Sequence, residues 1–169
     1  MFLTLASTDL VITPKVRGMC RLPYPGHPKG CPNWNLRSTC PPEAKPLGEV
    51  LDLSQEVTLV YTIFDLADHV DKLRQAHPGW SDRQLNCCLY WQGGARKKLR
   101  EEVGVVLKGI QQKGSFLDGY ETEPKVVLYC PEACGLNVTE TMARQGIILE
   151  WPPVTVTYQV ALIGNPVNR

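Results

Sequence analysis

Seven cysteines are the residues of this chain best suited to chemistry: Cys20, Cys31, Cys40, Cys87, Cys88, Cys130 and Cys134. An odd number cannot close into a complete set of internal disulfides. The N-terminal stretch MFLTLASTDLVITPK has no charged leader region and little apolar length, so it reads poorly as a secretion signal. A reducing, cytoplasmic compartment is therefore expected, where thiols serve more often as metal ligands or catalysts than as bridges. On that reading the Asn137-Val138-Thr139 sequon is a chance match.

Three of the cysteines fall in one segment, residues 20–46, CRLPYPGHPKGCPNWNLRSTCPPEAKP, which also holds seven of the fourteen prolines. Proline lacks an N–H and fixes φ, so neither a helix nor a central strand runs through such a segment. A loop this long needs another source of order, and three thiols suggest a metal. The spacing Cys20-x10-Cys31-x8-Cys40 matches no standard zinc ribbon or ferredoxin. Proline follows Cys31, Cys40 and Cys130, as it follows a cluster-ligating cysteine in bacterial ferredoxins. Tyr24 and Trp34 lie between the thiols, placed to exclude water from a cluster.

Three thiolates do not complete a site, since structural zinc and cubane clusters both take four ligands. The candidates for the fourth are Cys130, Cys134, Cys87, Cys88 and His27. His27 would make a Cys3His zinc site. Cys130 ends an apolar run, KVVLYC, and Cys134 follows one helical turn later. Cys88 falls on the apolar side of a helix and is expected in the core, while Cys87 points elsewhere. His69 and His77 suit surface or helix-capping roles. No GxSxG, P-loop, HExxH, GxGxxG or CxxxCxxC run is present, so no catalytic residue is identified.

The elements that must position these groups follow from hydrophobic periodicity. Residues 56–64, EVTLVYTIF, are apolar on nearly both faces and read as a central strand. Leu66, Val70 and Leu73 recur at helical spacing. Ser81 with Gln84 forms a capping box before a second helix carrying Leu85, Cys88 and Leu89, which Gly93-Gly94 interrupts or kinks. Leu99, Val103, Val106, Leu107 and Ile110 share one face of a third helix. Strands are expected over 125–130, 147–151 and 154–163, the last half-buried by its alternation. Asn137 with Glu140 caps a helix over about 138–145, which Gly146 ends. The whole is a single α+β or α/β domain. It has one mixed sheet of about four to five strands, with helices packed on it and a proline-rich N-terminal metal loop.

Composition bounds the rest. The chain has 169 residues, 43% hydrophobic and 21% charged, with a net charge of +1. That is a globular balance, and its neutrality argues against a nucleic-acid or membrane-surface partner. No apolar run approaches the ~20 residues of a membrane span. The charge is uneven, however. Residues 1–45 hold six bases (Lys15, Arg17, Arg21, Lys29, Arg37, Lys45) and two acids (Asp9, Glu43). This is either a solvated loop or a positive collar around something anionic, such as a thiolate-ligated cluster.

Two stretches carry a resemblance. CRLP…GCPNWNLRSTCPP is similar to the N-terminal motif of an uncharacterised family of cysteine-rich predicted metal-binding proteins, found mainly in bacteria and archaea. Its members carry C-R-x-P, then C-x-x-Y-G, then C-P-P. CPEACGLNVTETMARQGIILEWPP resembles that family's second motif, E-A-x-G-[IL]-[DN]-V before a Gly-Ile strand. The motifs cover about a third of the chain, at both ends and in the expected order. The resemblance implies that Cys20, Cys31 and Cys40 are ligands, and it aligns Glu132, Gly135, Asn137 and Val138 with the second motif. Here YPGHPKG is inserted between the first two cysteines. The additional cysteine cluster of many relatives is replaced by QQKGSFLDGYETEPK, which implies one metal centre.

The leading functional expectation is an iron–sulfur protein, with a [4Fe–4S] cluster favoured. Cys20, Cys31 and Cys40 would hold it, with Cys130 or Cys134 closing the site. Its work would be electron transfer or redox support of a partner enzyme. With three ligands only, an open iron would serve as a Lewis acid and the protein as an enzyme. The alternative is a structural zinc module that presents an interaction surface. A weaker third reading places nucleic acid on the basic N-terminal third, with Trp34 and Tyr24 as stacking platforms.

Overall fold

The computed structural model describes residues 1–23, 27–118 and 124–167. It holds four strands, β1 (Phe2–Leu5), β2 (Val57–Asp65), β3 (Val126–Leu128) and β4 (Val156–Gly164). The α-helices are α1 (Pro14–Met19), α2 (Leu66–Ala76), α3 (Asp82–Leu85), α4 (Gln92–Asp118) and α5 (Val138–Arg144). The strands form one sheet in the order β1-β2-β4-β3, and all three pairings are antiparallel. The fold is α+β. No helix among the described residues is long and apolar enough to cross a membrane.

The central strands dictate the layers. In β2, Val57 and Leu59 face one side and Val60 the other. In β4, Leu162 faces the first side, and Ala161 and Ile163 the second. The register sets Leu59 opposite Leu162 and Val60 opposite Ala161, so like packs with like. On the second face lies α4, through buried Leu99, Val103 and Val106, each worth about 1.5–3 kcal/mol of burial. On the first face lie Leu47, Leu51, Leu136, Val138 and Met142. The far half of β4 is thus buried on both faces, because α4 covers the side that the alternation over 154–159 assigns to solvent.

Three sequence expectations are corrected. The second helix stops at Leu85, and a 3₁₀ turn, Cys88–Tyr90, follows. Cys88 therefore leaves the apolar face of Leu85 and is half-buried rather than in the core, as is Cys87, while Leu89 is 84% exposed. Gly93-Gly94 interrupts nothing, since both lie in the first turn of α4. Residues 147–151 form no strand: Ile147 and Leu149 pack on the first core, but the chain then doubles back.

Glu150 holds that reversal. Its carboxylate accepts from the N–H of Val154 at 2.9 Å, the N–H of Thr155 at 2.8 Å and the Thr155 hydroxyl at 2.9 Å. These donors, led by the Val154 N–H, pull its pKa down to about 2. A carboxylate held below its unfolded value of about 4.3 lends stability in full above that value and loses it as pH falls towards 2. Titration of the Glu150 carboxyl carbon by NMR is expected to give a midpoint of about 2. A midpoint like that of free glutamate would show the turn to be open in solution.

Candidate metal centre

The N-terminal limb begins where Thr13 caps α1, with Pro14 at its first position. Cys20 is the C-terminal cap of the same helix. The chain then comes back on itself: the Cys31 N–H donates to the Cys20 carbonyl at 2.7 Å. Gly30 makes this approach possible, with φ +83°. A Cβ there would lie 2.7 Å from the Cys20 carbonyl oxygen and 2.8 Å from the Arg21 carbonyl carbon, both backbone atoms that cannot swing aside. Gly30→Ala is expected to cost about 1–3 kcal/mol and to lower metal content, checked by thermal unfolding and metal analysis together. An unchanged protein would show that Cys20 and Cys31 need not meet.

Beyond Cys31 the loop is built from turns. Asn35, at φ 56°, takes a left-handed backbone position, which asparagine tolerates better than most residues. Its N–H donates to the Pro41 carbonyl at 2.9 Å, and the Cys40 carbonyl accepts from Ala44 at 2.9 Å. Backbone hydrogen bonds give this loop a frame of its own, where the sequence alone suggested a metal as the source of order. Trp34 lies in that frame, while Tyr24 falls outside the described residues.

The second limb follows β3. Pro131–Cys134 form a 3₁₀ turn that ends in Gly135. This turn docks on the start of α1: the Thr13 N–H donates to the Gly135 carbonyl at 2.8 Å and the Asn137 N–H to the Val11 carbonyl at 2.7 Å. Arg17 joins the limbs. Its guanidinium donates to the carbonyls of Pro42 and Ala44, just past Cys40, and its side-chain carbons lie beside Gly135.

This frame brings thiols from both limbs into electrostatic contact. The Cys20 thiol is pushed up by burial, and further by Cys31, Cys40 and Glu132. Burial also pushes up the Cys130 thiol, with Glu132, Cys40 and Cys134 adding and Arg96 opposing. Cys134 is pushed up by burial, with Arg17 opposing and Glu132 adding. Only 7% exposed, Cys134 packs in the first core with Leu136, Val138 and Met142. Cys87 and Cys88 are not among the groups acting on Cys20, Cys130 or Cys134. Desolvation pushes the Glu132 carboxyl up, against the pull of its own N–H.

Among the described residues, no three Cys, His, Asp or Glu side chains converge on one point as a bound ion requires. What the frame supplies is three thiols, Cys20, Cys130 and Cys134, and the Glu132 carboxyl, whose charged forms burial disfavours and a cation would favour. That chemistry fits a thiophilic metal, and thiolate ligation would release the protons these thiols hold. His69 stands instead edge-on to Phe64, on the β2–α2 corner, and His77 caps α2 and stacks on Trp80 with ring centroids 4.0 Å apart. His27 lies one turn before Cys31, and its carbonyl accepts from Gly30.

Sequence reasoning named Arg17 only as one base of a positive collar and Glu132 only through the resemblance, and gave no role to Arg96. Nothing in the sequence pointed to Arg17 as the link between the limbs, because its partners are carbonyls 25 and 27 residues away. Glu132 offered one, as an acid between two cysteines beside a proline.

No curated protein and no solved structure matches the chain. A family model does, the one described as Predicted metal-binding protein (DUF2284), over residues 4–163. That span takes in both cysteine limbs and the sheet between them, and the chain belongs to this family of predicted metal-binding proteins.

Proposed function

We propose that Cys20, Cys31, Cys40 and Cys130 hold one iron–sulfur cluster, of the [4Fe–4S] type, and that the protein works in electron transfer or redox support of a partner enzyme. The observation that carries this reading is the joining of the two cysteine limbs: the Cys31 N–H donates to the Cys20 carbonyl at 2.7 Å, and Arg17, beside Gly135 of the second limb, donates to the Pro42 and Ala44 carbonyls just past Cys40. A bound cluster supplies one-electron chemistry. The chain's own residues do the rest. Four soft thiolates anchor the group, Arg17 and Arg96 offset negative charge beside Cys134 and Cys130, and the docked limbs hold the donors in place. Sulfurs around a single zinc ion must close to about 3.8 Å, from ~2.3 Å bonds in a tetrahedron, whereas a cubane accepts a wider set.

The test is anaerobic purification. A brown protein is expected, with broad absorption near ~400 nm and about four irons and four sulfides per chain. A colourless protein with one zinc per chain would overturn the cluster and leave a structural zinc module.

A further inference from the structure

A cleft of about 510 Å³ opens between the end of β2, the start of α2 and the first turn of α4, and its lining holds no cysteine. Alternation along β2 turns Val60, Thr62 and Phe64 to the face that α4 covers. Thr62 lines the cleft and is 4% exposed, yet its hydroxyl has no hydrogen-bond partner among the described residues. Two further groups in the same condition pack on Phe64. His69, also in the lining, stands edge-on to that ring with centroids 5.5 Å apart, and Trp91 stacks on it at 5.2 Å. The His69 Nε2 and the Trp91 Nε1 are both buried without a partner. Buried polar atoms are almost always satisfied, so three orphans at one corner of the sheet mark a binding place.

The first turn of α4 adds donors. Ala95 is the first residue of that helix whose N–H finds a carbonyl, that of Trp91 at 3.1 Å, so the N–H groups of Gln92, Gly93 and Gly94 stay unpaired among the described residues. Gly94 lines the cleft, and a Cβ on it would meet nothing within 4 Å, so the backbone there is open to approach. The positive end of a 27-residue helix therefore reaches the cleft. Two acids and two bases also line it, but the acids are engaged. The Asp65 carboxylate accepts from the Asp68 N–H at 2.8 Å, and Asp68 pairs with Lys72 at 2.6 Å. Lys98 has no ion-pair partner among the described residues; its neighbour Lys97 is the one that pairs with Glu101.

We propose that this cleft binds a phosphate monoester of a small organic molecule. Its phosphoryl oxygens meet the Gly94 N–H, the Thr62 hydroxyl and the Lys98 ammonium, and its organic part lies against Ile63 and Phe64. The volume falls within the ~300–1,000 Å³ of small-molecule sites. Three terminal oxygens and a charge near −2 suit a backbone N–H, a hydroxyl and an ammonium better than the two oxygens of a carboxylate do. A cation would meet acids already engaged and the positive end of α4. The proposal does not depend on which metal the thiols hold.

The probe is phenyl phosphate, titrated calorimetrically into the full chain as purified anaerobically. Saturable binding is expected, at least about tenfold tighter than that of inorganic phosphate, which lacks the ring, and of benzoate, which lacks the phosphoryl group. Lys98→Gln is expected to weaken it about tenfold. Thr62→Val keeps the shape of the side chain and removes the hydroxyl. It is expected to weaken binding about fivefold while the thermal unfolding midpoint holds or rises, because that hydroxyl has no internal hydrogen bond to lose. A lowered midpoint would show that the Thr62 hydroxyl is already satisfied within the protein, and would overturn its place in the site. No saturable binding of phenyl phosphate, equal affinity for inorganic phosphate or benzoate, or binding that survives both substitutions overturns the proposal.

Discussion

Cys130→Ser, purified anaerobically, is expected to lose most of the metal that the parent chain holds, at least about tenfold, while Cys134→Ser keeps it. The two thiols share one short turn, yet their surroundings differ. Cys40, from the far limb, acts on Cys130 and is not among the groups acting on Cys134. Cys134 packs among Leu136, Val138 and Met142, where it behaves as a small hydrophobe. Its replacement by serine buries a hydroxyl and is expected to cost about 1–3 kcal/mol of stability without emptying the site. Metal content and thermal unfolding of both variants separate the two roles. Full retention at 130 would return the fourth position to the N-terminal loop, where His27 would serve if the metal were zinc.

Leu136→Ala is expected to be the most damaging change outside the thiols. Leu136 is 0% exposed, packs in the first core with Leu10, Leu59 and Leu162, and pairs across a backbone bridge with Ile12. Large-to-small changes at such positions cost about 2–5 kcal/mol, because the surroundings relax only partly. Here the cavity opens beneath the junction of the two limbs, so metal content is expected to fall along with the denaturation midpoint. A loss below about 0.5 kcal/mol would show the junction to be loosely packed in solution.

Long, strongly periodic segments were legible in the sequence. β2, α2 and the apolar face of α4 lie where their spacing places them, and Asn137 caps α5 through the Glu140 N–H. The missed elements are short and owe their order to neighbours. β1 has four residues and forms by pairing with β2, and α1 has six, with Val16 as its one buried residue. Thr13-Pro14 was nonetheless a readable start signal for α1. The strand expected over 147–151 failed because Glu150 spends the backbone donors that follow it on a reversal, a hydrogen-bond choice that periodicity does not encode. At the site, the cysteine types and the prolines were visible. The docking of 131–137 against α1, which brings the two limbs side by side, was not, since it rests on backbone hydrogen bonds that residue types do not encode.

That docking has a consequence for the order in which the protein is made. Val11 donates to the hydroxyl of Thr141, 130 residues further along the chain. On the ribosome, Cys20, Cys31 and Cys40 emerge long before Cys130 and before the turn that clamps α1 exists. Through that interval the three early thiols stand beside an unfinished sheet. On the ligand set proposed above, metal delivered then would meet an incomplete site, so loading would belong to the finished chain, and a nascent chain stalled before Cys130 presents those thiols to whatever thiol chemistry the cell offers.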